Sequence, residues 1–235
     1  MTTEEILEEL KKMGTASTKN TFLRHGAPEP IFGVKVGDLK TIEKKVKRNH
    51  QLALELFDTG ISDAMYLAGL ISEPQKMTKK QLEDWAEKAT WPMISEFAVA
   101  WTTAESPFAL ELAQKWIKSK KEKIACTGWN TYSNYLALTP DANLDIKELK
   151  TLLDMIGKDI HQAPNRVRYC MNNFVISAGG YVPSLTEHAK KISKAYGVLT
   201  VDMGDTSCQV PEAVSYIAKM IARGSHTKKK KTVKC

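Results

Sequence analysis

The chain has 235 residues, enough for one sizeable core, since single domains commonly extend to roughly 200–250 residues. Its 43% hydrophobic and 26% charged residues are those of an ordinary globular protein, and no apolar run approaches the roughly 18 residues a membrane helix needs. Met1-Thr2-Thr3-Glu4-Glu5 lacks the basic start and apolar stretch of a secretory signal, so a cytoplasmic location is expected.

Helical periodicity runs from end to end. Ile6, Leu7, Leu10 and Met13 form one apolar stripe, and Gly14 stops it. A Gly- and Pro-rich loop from Gly26 to Gly37 follows. Asp38 to Arg48 reads as a helix with Leu39, Ile42 and Val46 inside, and Leu52 to Phe57 as its hairpin partner, closed by Gly60. Asp63 to Ile71 is another helix, ended by Pro74. Thr78 and Gln81 stand at capping-box spacing ahead of Leu82, Trp85 and Ala89. Met93 to Thr103 is apolar almost all round, which predicts a central helix covered on several sides.

Pro107 opens a helix carrying Leu110, Leu112, Trp116 and Ile117. Helices are predicted over Ile124 to Leu138, Ile146 to Ile160, Val167 to Ala178 and Leu185 to Tyr196, with Pro140, Pro164 and Pro183 between them. Val198 to Val201 and Asp202 to Pro211 read as extended or looped, and a last helix covers Glu212 to Ala222. Helix pairs recurring at intervals of roughly 35–45 residues fit degenerate HEAT-like repeats, with a compact orthogonal bundle as the alternative. One helical-repeat domain is expected over 1–224, followed by a basic flexible tail over 225–235.

The net charge of +7 is unevenly placed. Of 34 basic residues six lie from Arg223 onward with no acid among them, which leaves 28 against 27 acidic over residues 1–222. The excess therefore sits in the tail, a solvated end or a non-specific phosphate clamp. Cys126, Cys170, Cys208 and Cys235 are widely spaced and read as reduced thiols. No metal-ligand spacing, P-loop, dinucleotide fingerprint or nucleophile elbow is present, so no metal and no nucleotide cofactor are expected.

Three segments carry a resemblance: Phe32-Gly-Val-Lys-Val-Gly-Asp-Leu39, Pro164-Asn-Arg-Val-Arg-Tyr-Cys-Met-Asn-Asn-Phe174 and Val201-Asp-Met-Gly-Asp-Thr-Ser-Cys-Gln-Val-Pro211. With the helical array, they resemble the DNA alkylation repair family, the AlkD-like proteins, in a shorter-chain branch with a Lys-rich tail. The resemblance implies an all-α, right-handed α-solenoid of HEAT-like hairpins, an armadillo-like superhelix whose concave basic face cradles duplex DNA. It also implies, for active members, a glycosylase excising cationic N3- or N7-alkylated bases, in which a carboxylate stabilises developing positive charge and tryptophan faces contact lesion and sugar.

Carried over to this chain, the first tryptophan falls near Trp91 and the carboxylate position on Ser95 or Glu96, while the arginine position falls in Trp129 to Ser133, which has no Arg. The second tryptophan falls near Asn173 or Phe174. Glu96 and Trp91 are thus the candidate catalytic pair. Trp85, Trp101 and Trp116 share apolar stripes and read as core, whereas Trp91 and Trp129 sit at helix starts where a ring can face a groove. Arg166 and Arg168 follow Pro164 at a helix N-terminus, and the runs containing Lys44, Lys45 and Lys47 and containing Lys120 and Lys121 are candidate phosphate contacts. Three functions stay open: an excising glycosylase, a non-catalytic DNA-structure-binding module, and a protein-interaction scaffold. The sequence leaves the oligomeric state unknown.

Overall fold

The computed structural model describes residues 1–226 and 228–234. Cys235 and Thr227 lie outside the described residues, so the reduced-thiol reading of Cys235 does too. Among the described residues there are thirteen α-helices and no strand, and no helix is long and apolar enough to cross a membrane. The described residues form two compact units, Met1–Phe108 with Met203–Ser207 and Lys234, and Ala109–Asp202 with Cys208–Val233.

The first unit contains α1 (Thr3–Met13), α2 (Ala16–Arg24), α3 (Val36–Val46), α4 (His50–Asp58), α5 (Ser62–Ile71), α6 (Lys79–Lys88) and α7 (Ala100–Ala104). Helix α5 is its centre, with all ten residues buried. Phe57 of α4 and Trp85 of α6 stack with centroids 4.0 Å apart and planes 5° from parallel. The Thr78/Gln81 capping box forms as the spacing predicts, and a second one, Thr2 with Glu5, starts α1. Helix α2 has no counterpart in the sequence reading. It buries no residue fully, so it lacks the apolar stripe that betrays an amphipathic helix, and its start rests on Thr15 accepting from the N–H of Thr18. The single helix expected over Met93 to Thr103 is instead a π-helical segment, Met93–Val99, running into α7.

The second unit contains α8 (Ala109–Trp116), α9 (Glu122–Leu138), α10 (Ile146–Asp159), α11 (Asn165–Tyr181), α12 (Thr186–Tyr196) and α13 (Ala213–Ala222). Helices α9 and α11 form its spine. Phe174 of α11 sits edge-on to Trp129 at 5.1 Å and to Tyr132 at 5.3 Å. Gly128 lets α9 press against the end of α8, since a Cβ there would lie 2.6 Å from the backbone nitrogen of Ile117.

Several lysines of the basic tail make contacts with the rest of the protein. Lys229 Nζ donates to the carbonyls of Leu136 and Tyr181 at 2.9 and 3.0 Å and pairs with Asp141 at 2.8 Å, while the Lys230 N–H donates to the Ala137 carbonyl at 2.8 Å. In the first unit, Lys234 Nζ reaches the carbonyl and hydroxyl of Ser72 at 2.9 and 2.8 Å. Carbonyls at helix C-termini carry partial negative charge and lack intrahelical donors, so lysines settle on them rather than staying in solvent.

Candidate nucleic-acid interface

Two of the expected basic segments lie in the second unit, where α9 and α11 begin. Helix α8 ends at Trp116, and a short turn carries Lys118, Lys120 and Lys121, all exposed, into the first turn of α9. Neither α9 nor α11 has a side-chain cap at its N-terminus. Between the two ends the backbone N–H of Arg166 donates to Glu122 Oε1 at 2.6 Å. One carboxylate thus meets the positive end of α11, where a negative charge is favoured.

The two arginines differ in use. The Arg166 guanidinium lies over the ring of Tyr169, 4.3 Å from its centroid, a cation–π contact. Arg168 Nη1 donates to the Thr200 carbonyl at 2.8 Å, so this side chain braces the loop after α12. The Arg166 backbone thus meets Glu122, the residue after Lys121, and Arg168 braces Thr200 rather than standing free for phosphate. Glu122 and Thr200 were missed by the sequence reading, because their partners stand 44 and 32 residues away and no local pattern marks them.

Trp129 is corrected. Its side chain is wholly buried against Phe174, so it has no face to offer a base or sugar. Trp91 is likewise interior, 6% exposed, with its ring 5.5 Å from that of Phe22. Glu96 is 3% exposed and sits within the π-helical segment, whose first turn hangs on the Trp91 carbonyl through the N–H groups of Ile94 and Ser95. The expected pair is therefore close in sequence and buried together in the first unit. Trp85, Trp101 and Trp116 are core, as their apolar stripes predict.

In α3, Lys44 and Lys47 are exposed, while Lys45 forms an ion pair with Glu9 at 2.6 Å. Lys47 ends the helix with φ of 58°, a left-handed conformation uncommon for a lysine. Cys126 and Cys170 are buried free thiols, and the Asn130 amide bridges them, donating to the Cys126 carbonyl at 3.0 Å and to Cys170 Sγ at 3.1 Å. Cys208 is exposed and forms no disulfide among the described residues.

The chain is similar to known proteins over most of its length. Residues 6–201 match the family described as DNA alkylation repair enzyme. An uncharacterized protein of Listeria innocua is 36% identical over 225 residues, 93% of this chain and 97% of that one, and one of Listeria monocytogenes is 35% identical over the same extent. A solved structure described as a new family of proteins related to the HEAT-like repeat DNA glycosylases, with affinity for branched DNA structures, is similar over 100% of both chains, at 35% identity and a TM-score of 0.90. The fold is thus the HEAT-like repeat array that the helical hairpins imply, and the chain belongs to the DNA alkylation repair enzyme family.

Proposed function

We propose that this protein binds DNA at branched or distorted duplex through phosphate contacts and does so without excising a base. The observation that carries the reading is the meeting of the α9 and α11 N-termini through Arg166 and Glu122, with the exposed Lys118, Lys120 and Lys121 on the turn leading into α9. The α9 first turn lacks a side-chain cap, and a helix N-terminus with exposed lysines ahead of it suits phosphate oxygens, contacts that read backbone geometry rather than sequence. The affinity of the structural relative for branched DNA supports the choice of substrate class. The burial of Trp91 and Glu96 supports binding over excision, because a residue that stabilises a cationic lesion must reach it.

The test is fluorescence anisotropy with a four-way junction and a linear duplex of equal length, repeated over a salt series. Tighter, salt-sensitive binding to the junction is expected, with no free base released from duplex containing N7-methylguanine. Equal, salt-insensitive binding, or none, removes the reading.

A second reading rests on the π-helical segment around Glu96, since such turns are costly and recur at functional sites. Under it the protein is a glycosylase for cationic alkylated bases with Glu96 as its carboxylate. Free-base release by the wild type that is lost in Glu96→Gln selects it.

A further inference from the structure

The loop after α12 starts at Gly197, with φ of +66°, and turns out Val198, which is 91% exposed. A single exposed valine is ordinary on a loose loop. This loop is braced from behind at each step. His161 Nε2 lies 2.7 Å from the Tyr196 carbonyl, the Gly197 N–H donates to the Ser193 carbonyl at 3.0 Å, and Leu199 is buried. Arg168 holds Thr200, and Asn165 and Asp202 exchange two hydrogen bonds, at 2.8 and 2.9 Å, from side chain to backbone. An apolar knuckle stands on a fixed backbone, and its supports come from the α11 N-terminus that bears the proposed phosphate contacts.

Beside Val198 opens a hollow of about 270 Å³, close to the lower bound of roughly 300 Å³ for pockets that take small organic molecules. Asn172, Lys194, Tyr196, Leu199 and Glu212 line it with Val198. The Tyr196 hydroxyl donates to Asn172 Oδ1 at 2.7 Å and the Asn172 amide donates to the Pro211 carbonyl at 2.9 Å, so the polar wall is fixed. Glu212 accepts from the N–H groups of Val214 and Ser215 at 3.0 and 2.7 Å. Hydrogen bonds from Ser215, through its side chain and then its backbone, hold that carboxyl below the usual range, and it stays anionic. An anionic wall repels phosphate and accepts the amino group of a base, while the exposed Lys194 at the rim suits the backbone that follows.

We propose that Val198 is an unstacking wedge: at a branch point or nick it enters between two base pairs, and the displaced base turns into the hollow lined by Tyr196 and Glu212. Apolar side chains act in this way where stacking is easily opened, and an interrupted duplex offers the least resistance. The inference rests on the proposed DNA-binding function and adds how a discontinuity is felt.

The experiment uses the full chain and a four-way junction carrying 2-aminopurine beside the branch. Saturation with wild type raises the fluorescence about threefold or more as the base leaves the stack, Val198→Leu retains the rise, and Val198→Ser abolishes it while anisotropy changes affinity by less than about threefold. A 5-iododeoxyuridine at the same position crosslinks on irradiation to the peptide over 194–199. Equal fluorescence rises in wild type and Val198→Ser, or junction binding without any rise, overturn the wedge and leave DNA binding standing. Crosslinks confined to other peptides overturn the hollow as the receiving site. Absence of DNA binding by the wild type removes the functional reading and this one with it.

Discussion

The Asp63 carboxylate accepts the backbone N–H of Val34 at 2.7 Å, and the same group accepts from Phe32 at 2.6 Å and Gly33 at 3.4 Å. A buried acid on the first turn of α5 thereby pins the loop ahead of α3. Removing it strands two or three N–H groups away from water, each worth about 1–3 kcal/mol. Asp63→Ala is expected to destabilise the protein by about 3–5 kcal/mol, read as a lower denaturant midpoint with an unchanged slope. A loss under about 1 kcal/mol means that water reaches these donors.

Gly128 is the point where α9 meets the end of α8, and an added Cβ falls 2.6 Å from Ile117 N and 2.8 Å from the Trp116 carbonyl carbon. Backbone cannot swing aside as a side chain can. Gly128→Ala gains up to about 1 kcal/mol of helix propensity and loses about 1–3 kcal/mol or more to overpacking. The expected outcome is net destabilisation in a urea melt, with Gly37→Ala, whose added Cβ meets nothing within 4 Å, as the mild comparison.

Lys120 and Lys121 are offered as phosphate contacts, which makes their effect visible in salt dependence. Each duplex phosphate neutralised contributes about 0.9 to the slope of log affinity against log salt. The double substitution Lys120→Gln, Lys121→Gln is expected to flatten that slope by about 1–2 and to weaken binding uniformly across DNA sequences. An unaltered slope places the phosphate track elsewhere.

Lys234 lies partly buried beside Ser72, with Leu70 at the end of α5 also within 3.5 Å. Burial above all, with the Arg48 guanidinium next to it, brings its ammonium down to about 7, against weaker opposition from Glu105 and Glu43. Between that value and the ordinary lysine range the unfolded chain binds the proton and the folded chain does not, so stability rises with pH across this window and is level below it. Denaturant midpoints of wild type relative to Lys234→Met are expected to climb from pH 7 to 10, and the Lys234 Nζ resonance to titrate near 7. A parallel pH profile in the two proteins refutes the assignment.

What could be read from the sequence follows the range of the forces involved. Helices with an apolar stripe and caps formed within four residues, such as Thr78 with Gln81, were legible because their causes are local. So were the core roles of Trp85, Trp101 and Trp116, which share their stripes with Leu and Ala. Helix α2 was illegible because it buries no residue fully, and the π-helical turn at Glu96 because its apolar pattern is that of any buried helix. Trp91 and Trp129 looked accessible beside Pro92 and Gly128, yet whether a ring is covered depends on distant residues such as Phe22 and Phe174. By itself the sequence determined the all-helical repeat class and the family, through periodicity and three local motifs. Only the tertiary structure decided which charges are already engaged, such as Lys45 on Glu9, Arg168 on Thr200 and Lys229 on Asp141, because pairing energies fall off within a few ångströms and those ångströms are set by packing.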